Sequence, residues 1–421
     1  MTQRYDTYKD SGVKWLGEIP GHWGLPAFKR VCKLKSGNTN LEEITNGDVP
    51  FVRVSDMNIP ENKLYIETSK TFVDRKNCIN SIFPTGSIIF PKRGGAILTN
   101  KRRIVKKEIC CDLNIMGAIP GEKVNSLFLY YYLLSKDFGV LYNGSAVPQI
   151  NNGDIEPLLF PLPPLSEQRS IVSFLDAKCG KIDEWVTKKQ KEVEHLQELK
   201  QRVIADAVTR GLNPHVKMKA TNIPWLKEIP EHWEMRKMKY LFDERSEKNH
   251  PDEPMLSATQ SEGVILQSKY QGRVVVVNTG FEGLKLVKVG DFVIHLRSFQ
   301  GGIEYAHDRG IISAAYTILT PKYPEFSAYY KRLFKSSSFI DLLKICVTGI
   351  REGQNINYSK LKQFSIPVPP LSEQKQIVSY LDAKTSKIDK LIANVTKEID
   401  CIKEYKQRLI SDVVTGQIKV C

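Results

Sequence analysis

The chain has no Cys-x-x-Cys pair and no histidines at zinc-finger spacing. Its eight cysteines (Cys32, Cys78, Cys110, Cys111, Cys179, Cys346, Cys401, Cys421) therefore offer no metal framework and read as reduced structural thiols. No apolar run approaches the ~20 residues needed to span a bilayer, and the opening MTQRYDTYKDSGVKW has no apolar signal core. A cytoplasmic protein is the simplest expectation. Parts of several enzymes are missing too. There is no Gly-x-x-x-x-Gly-Lys-Ser/Thr, no Gly-rich cofactor loop after an early strand, and no Asn-Pro-Pro-aromatic tetrapeptide to hold a flipped adenine. No clustered metal-binding carboxylates stand out, and the nuclease-like Glu198-Leu199-Lys200 falls inside a heptad helix, where chance explains it. These absences count against a self-contained methyltransferase, a nuclease and an ATP-driven motor.

What is present is basic. Lys and Arg number 61 against 47 Asp and Glu, a formal net charge of +14 over 421 residues. A 41% hydrophobic and 26% charged composition is that of a folded globular chain, and the length suits two or three domains. The cationic excess favours a polyanionic partner, nucleic acid ahead of membrane lipid, because each phosphate contact releases condensed counterions. Many basic proteins bind no nucleic acid specifically, so motifs have to decide.

The chain is written twice. KWLGEIPGHW (Lys14 to Trp23) is answered by PWLKEIPEHW (Pro224 to Trp233). PLPPLSEQRSIVSFLDAKCGKID (Pro161 to Asp183) is answered by PVPPLSEQKQIVSYLDAKTSKID (Pro367 to Asp389), continuing to KQRVIADAVT and KQRLISDVVT, with about half of the aligned positions identical. Each copy has a short leader, a divergent globular stretch and a similar terminal segment. A segment kept similar does one job twice, while stretches that have drifted apart are free to do two different jobs. One frame presenting two readers fits this pattern.

The similar segments read as long helices. Tandem prolines end the preceding strand, Ser166 or Ser372 caps the helix, and Glu167 or Glu373 sits where the N-terminal dipole favours an acid. In the second copy Ile388, Ile392, Val395, Ile399, Ile402 and Leu409 step by fours and threes, the register of a coiled coil, with Lys406 at one seam position. The first copy holds it more loosely through Ile182, Val186, Val193, Leu196 and Val203, where Lys189 and Lys200 intrude and snorkel to water. The rival reading is two core helices of separate domains. Matched length and register favour packing of one helix on the other, antiparallel if the halves face by a pseudo-two-fold.

The divergent stretches read as α+β. VPFVRVSDM, SIIFPKRGGAILT and EICCDLNIMGAIP are strand-like, followed by a helix at SLFLYYYLLSKDF. GRVVVV, GDFVIHLRS and GIISAAYTILTP run parallel to them, followed by a helix at SAYYKRLFKSSSFIDLLKIC.

Two WLGEIPGHW-type leaders and two PPLxEQxxIVxxLD helices resemble the specificity (S) subunit of type I restriction-modification systems, over essentially the whole chain. The resemblance implies an α+β fold of two target-recognition domains separated by two long antiparallel coiled-coil helices, a pseudo-two-fold internal repeat. The boundaries are then 1–160 for the first recognition domain with its leader, 161–213 for the central conserved helical region, 214–366 for the second recognition domain with the leader repeat, and 367–421 for the distal conserved helical region.

It further implies a non-catalytic subunit that reads a bipartite double-stranded DNA target and docks two methyltransferase subunits for adenine methylation, with motor-nuclease subunits joining for restriction. No cofactor is expected in this chain, and S-adenosylmethionine belongs to the partner methyltransferase. Carried over by position, Pro163 to Leu175 and Pro369 to Leu381 are docking and framework residues, so Leu165, Glu167, Gln168, Leu196, Leu371, Glu373 and Gln374 join the heptad residues as candidates. One departure is that the KSGNTN turn (Lys35 to Asn40) is replaced in the second copy by DERSEKN (Asp243 to Asn249).

Base-reading residues do not transfer, so they are sought in the chain itself. In the first domain Lys92, Arg93, Lys101, Arg102 and Arg103 lie beside glycines that permit close backbone approach, and Gln149, Asn151 and Asn152 form a polar tip. Arginine pairs bidentately with guanine, and asparagine or glutamine with adenine. Arg297, Ser298, Gln300, Arg351, Gln354 and Asn355 are the second-domain counterparts. For any one of them a plain solvated position is the rival. Tyr130 to Tyr132, Tyr329 and Tyr330 read as core, and His22 and His232 as structural. A coiled-coil scaffold without nucleic acid remains the competing class, but it leaves two basic, Gln/Asn-tipped domains unexplained.

Overall fold

A computed structural model describes residues 4–38, 43–141, 148–272, 279–348 and 355–420. The chain divides into one unit of Met1–Lys189 with Lys397–Cys421 and another of Gln190–Thr396. Both long helices, Leu165–Arg210 and Leu371–Val414, cross that division, so each unit holds the start of one helix and the end of the other.

The first unit is built on a five-stranded sheet in the order Cys32–Ser36, Ile115–Pro120, Ile88–Pro91, Arg103–Val105, Tyr65–Ile66. The strand Ile88–Pro91 is buried throughout, as an apolar run covered on both faces must be. Ile88 and Phe90 face the core that includes Phe128 and Phe138, whereas Ile89 faces a second cluster with Val52, Met57 and Phe83. The almost wholly apolar helix Ser126–Leu134 covers the first face, and its start is capped by Asn125, whose side chain accepts from the amides of Leu127 and Phe128.

The second unit repeats four strands of that sheet in the same order: Phe242–Arg245, Thr317–Pro321, Phe292–Ile294, Glu304–Tyr305. The helix expected over SAYYKRLFKSSSFIDLLKIC is two helices, Ser327–Leu333 and Ser337–Ile345. Ser336 breaks it, since its hydroxyl accepts from the Phe339 amide and starts a new helix rather than continuing the old one. Of the expected GRVVVV strand, all but Gly272 lies outside the described residues.

The long helices begin one residue before the expected serine caps. Pro164 and Pro370 carbonyls accept from the amides of Gln168 and Gln374 at 2.9 Å, which leaves Ser166 and Ser372 inside the first turn. With 46 and 44 residues they are each about 65–70 Å long. Ile388, Val395, Ile399 and Leu409 are buried, while Ile392, Ile402, Ile182, Val186, Val193, Leu196 and Val203 are half-buried, as a seam requires.

The seam lysines do not simply run out to water. Lys406 meets Asp183 at 2.6 Å and Lys189 meets Glu398 at 3.3 Å in the first unit, and Lys200 meets Asp389 at 2.6 Å in the second. As the first helix advances from 183 to 189 its partner retreats from 406 to 398, so the pairing is antiparallel.

The leaders hold the helix ends. Trp23 and Trp233 are fully buried, and a lysine fourteen residues upstream, Lys9 or Lys219, donates to the tryptophan carbonyl at 2.5 or 2.6 Å. His22 meets Glu167 at 2.9 Å, and His232 meets Glu373 at 2.8 Å, a structural role for both histidines. Burial alone would push the Glu167 carboxyl up, but hydrogen bonds from Tyr5 and His22 outweigh it and hold the group below the usual range. The same leaders receive the glycine ending the other helix, Gly416 in the first unit and Gly211 in the second, both at φ +77°.

A side chain at Gly416 would stand 2.3 Å from the Pro20 ring, whereas at Gly211 it would meet first the Glu373 carboxylate at 2.8 Å, a milder overlap with the oxygen that His232 and Trp233 leave free. Each alanine carries the left-handed backbone cost of ~1–2 kcal/mol. Gly416→Ala is expected to lower stability more than Gly211→Ala in denaturant titration. Equal losses would mean that the first leader gives way freely.

Candidate nucleic-acid interface

Strand register makes the two candidate loops equivalent. Pro120 pairs with Cys32 as Pro321 pairs with Phe242, Ala118 pairs with Ile88 as Leu319 pairs with Phe292, and Ile88 pairs with Ile104 as Phe292 pairs with Tyr305. Counting onward along the two central strands, Arg93 and Arg297 occupy the same position. Both are exposed, at the outset of loops that share a Gly-Gly pair at different spacing and otherwise diverge.

In the first domain the chain folds so that two of the expected groups meet. Arg93 bridges Gln149, the Ile150 amide bonds the Lys92 carbonyl at 2.9 Å, and the Gly94 amide bonds the Pro148 carbonyl at 2.8 Å. Gln149 then donates to the Asn151 side chain at 2.8 Å, and Asn151 caps the turn that contains Asn152. Arg93, Gln149 and Asn151 thus form one cationic and amide-bearing edge.

The other expected residues are occupied elsewhere. Lys92 donates to Ser36 at 2.8 Å and Lys101 to Asn58, and the Arg103 guanidinium is taken up by the carbonyls of Met57, Asn62 and Arg102. Arg102 has to be withdrawn from the groups a duplex could meet. It is 1% exposed, lies over the rings of Phe138 at 3.9 Å and Phe90 at 5.4 Å, donates to the Lys101 carbonyl, and feels Asp137 only at longer range, without an ion pair among the described residues. Burial pulls its pKa down to about 9.

In the second domain Arg297 and Gln300 are exposed on the loop, but Ser298 is buried, its hydroxyl accepting from the His295 amide at 2.9 Å to close the turn. Asn355 is exposed on a short strand paired with Val347–Thr348, and Arg351 and Gln354 lie outside the described residues. Sequence reasoning missed what holds this loop. Fully buried Glu304 takes the Lys335 ammonium at 2.5 Å, with His295 at 3.5 Å, and the same ammonium bonds the carbonyls of Gly301 and Gln260. The only advance signal was a charged residue set in an apolar strand.

The family model described as the type I restriction modification DNA specificity domain matches twice, over residues 21–195 and 226–400. The chain belongs to that family. It is 26% identical over 439 residues to the MjaX type I restriction enzyme specificity subunit of Methanocaldococcus jannaschii, covering 98% of each chain. It is 26% identical over 440 residues to the MjaVIII specificity subunit of the same organism, covering 98% of this chain and 97% of that one. One solved structure, described as the structural basis of complex assembly and conformational transition of the type I R-M system, aligns with a TM-score of 0.66 at 18% identity, over 94% of this chain and 98% of the other. That likeness is one of fold. The role is that of a specificity subunit, the DNA-recognition and non-catalytic component.

Within this specificity subunit the residues assigned to docking divide into outward and inward groups. Leu165 and Leu371 are exposed at the helix starts. Glu167 and Glu373 are engaged by the leader histidines, and Trp233 also donates to Glu373 at 2.9 Å. Gln168 and Gln374 are buried and grip backbone. Gln168 donates to the carbonyls of Pro163 and Lys123 and accepts from the Asn125 amide, while Gln374 donates to the Pro369 carbonyl at 2.8 Å. As placed, these two glutamines serve the frame. Among the described residues no helix is long and apolar enough to cross a membrane.

Arg102 gives the sharpest test of this placement. A buried cation that makes no direct ion pair is poorly solvated, and replacing it with an apolar side chain of similar length removes that cost. Arg102→Met is expected to raise stability in denaturant by about 1 kcal/mol or more and to leave duplex affinity unchanged. A drop in affinity with unchanged folding would restore Arg102 to the DNA-contacting set.

Proposed function

We propose that each globular domain reads one half of a bipartite double-stranded DNA target, and that the two long helices dock two methyltransferase subunits, which bind S-adenosylmethionine and methylate adenine. Motor-nuclease subunits join the same assembly for restriction. The observation that carries this reading is the equivalence of Arg93 and Arg297, two exposed arginines at one position of a repeated sheet, on loops that otherwise diverge in sequence. A repeated frame with non-repeated exposed loops suits two different half-sites. The net charge of +14 supports a polyanionic target, and the repeated helices support two similar docking surfaces.

The division of labour is open to direct measurement. Arg93→Ala is expected to weaken or relax reading of one half-site and Arg297→Ala the other, each by ~1–3 kcal/mol at one base position if the contact is bidentate. Binding to duplexes substituted one base at a time reads this out. A loss spread evenly over all sequences would instead mark phosphate contacts.

The chemistry is expected to lie with the partner. The purified chain should bind no S-adenosylmethionine and methylate no DNA by itself, yet confer adenine methylation at a bipartite site once a methyltransferase subunit is added. Methylation by the chain alone would overturn the proposal.

A further inference from the structure

The two recognition domains are tied to the long helices at equivalent places by different chemistry. After Pro120 and Pro321 the connections to the domain helices are equally long, so Ser126 matches Ser327, Tyr131 matches Arg332 and Leu134 matches Lys335. In the first unit the Tyr131 hydroxyl donates to Asp176 at 2.5 Å. In the second the Arg332 guanidinium donates to Asp382. Asp176 and Asp382 are the aspartates of the repeated Leu-Asp-Ala-Lys on the two long helices. A phenol and a guanidinium share little except that each delivers a donor to the same carboxylate.

The other end of each domain helix meets the reading loop, again at matched positions. The Leu134 carbonyl accepts from Asn100, the last residue of the first loop, at 3.2 Å and from Gln407 of the second long helix at 2.9 Å. Lys335 bonds the Gly301 carbonyl at the end of the second loop at 2.9 Å. It lines a cavity of about 440 Å³ with Gln201, the residue of the repeated Lys-Gln-Arg that matches Gln407. Loop, domain helix and long helix are therefore linked in one series in each unit.

We infer that Asp176 and Asp382 are positioning residues that fix the angle at which each reading loop is carried on the long helices, and so set how strictly the complex measures the gap between half-sites. The inference rests on the proposed DNA-reading function. Both carboxylates are exposed, so the exposed Arg332–Asp382 contact contributes little to folding, while the part-buried Tyr131 bond adds modestly to stability. Its effect lies in orientation. Lengthening a spacer by one base pair moves a half-site by about 3.4 Å and turns it by roughly 35°, so angular slack in one domain translates into spacer tolerance.

The test uses the full chain assembled with its methyltransferase partner, and duplexes whose spacer is cognate or one base pair longer or shorter. Tyr131→Phe and Asp176→Ala are each expected to reduce discrimination against the wrong spacers by about fivefold, or about 1 kcal/mol. The double variant should do no more than either single change, half-site base preference should stay unchanged, and melting temperature should fall only slightly. Arg332→Met and Asp382→Ala should behave as the first pair does. Unaltered spacer discrimination, or a uniform loss on every duplex, overturns the inference while leaving the DNA-reading function standing. A parental complex that methylates none of the duplexes overturns both.

Discussion

Each unit depends on one carboxylate in the first turn of a long helix. Glu167 and Glu373 face the unbonded amides and positive dipole end of that turn, and each is met from the side by a leader histidine. The leader can supply that histidine only if its neighbouring tryptophan is sunk in the core, and Trp23 and Trp233 are both fully buried. The glycine that ends the opposing helix packs on the same leader: Gly416 lies against Pro20 and Trp23, and Gly211 against Pro230 and Trp233. One short segment therefore locates the start of one helix and the end of the other.

Fixing the ends relaxes the demands on the seam. A pair of helices joined only along their length needs an unbroken apolar stripe, but here lysines at 189, 200 and 406 interrupt it. Their partners Glu398, Asp389 and Asp183 are more than half exposed, and such pairs contribute little stability. What they supply is register, because a slip of one turn would place each lysine opposite the wrong neighbour. The isoleucines and valines around them provide the burial.

The frame was legible because it is periodic and repeated. Heptad spacing, the two leaders and the matched loops around Arg93 and Arg297 all come from local patterns, and the register of the sheets bears out that match. The reading failed where partners are far apart in sequence. Arg102 stands in a run of basic residues, the usual mark of a solvated surface, yet it is buried against the edge-to-face pair of Phe90 and Phe138. Gln168 and Gln374 stand in a motif that leaves docking and framework roles undivided, and only their bonds to distant and neighbouring backbone assign them to the frame. The Glu304–Lys335 pair joins residues in different elements, and no local pattern reports it. The serines at 336 to 338 did carry a local signal, a helix start, which the continuous apolar pattern around them obscured.

The manner in which frame and domains are joined explains how one can stay constant while the other changes. Gln168 reaches the Lys123 carbonyl and the Asn125 amide, Gln407 reaches the Leu134 carbonyl, and Tyr329 donates to the Val208 carbonyl at 2.6 Å. In each case one partner is a main-chain atom, present whatever side chain stands there. The carboxylates of Asp176 and Asp382 are nearly as permissive, for a tyrosine satisfies one and an arginine the other. Joints of this kind constrain where the domain backbone runs and leave the loop side chains free. A recognition surface can then be rewritten for a new sequence without disturbing the helices that carry it, because little in the frame reads the identity of the residues it holds.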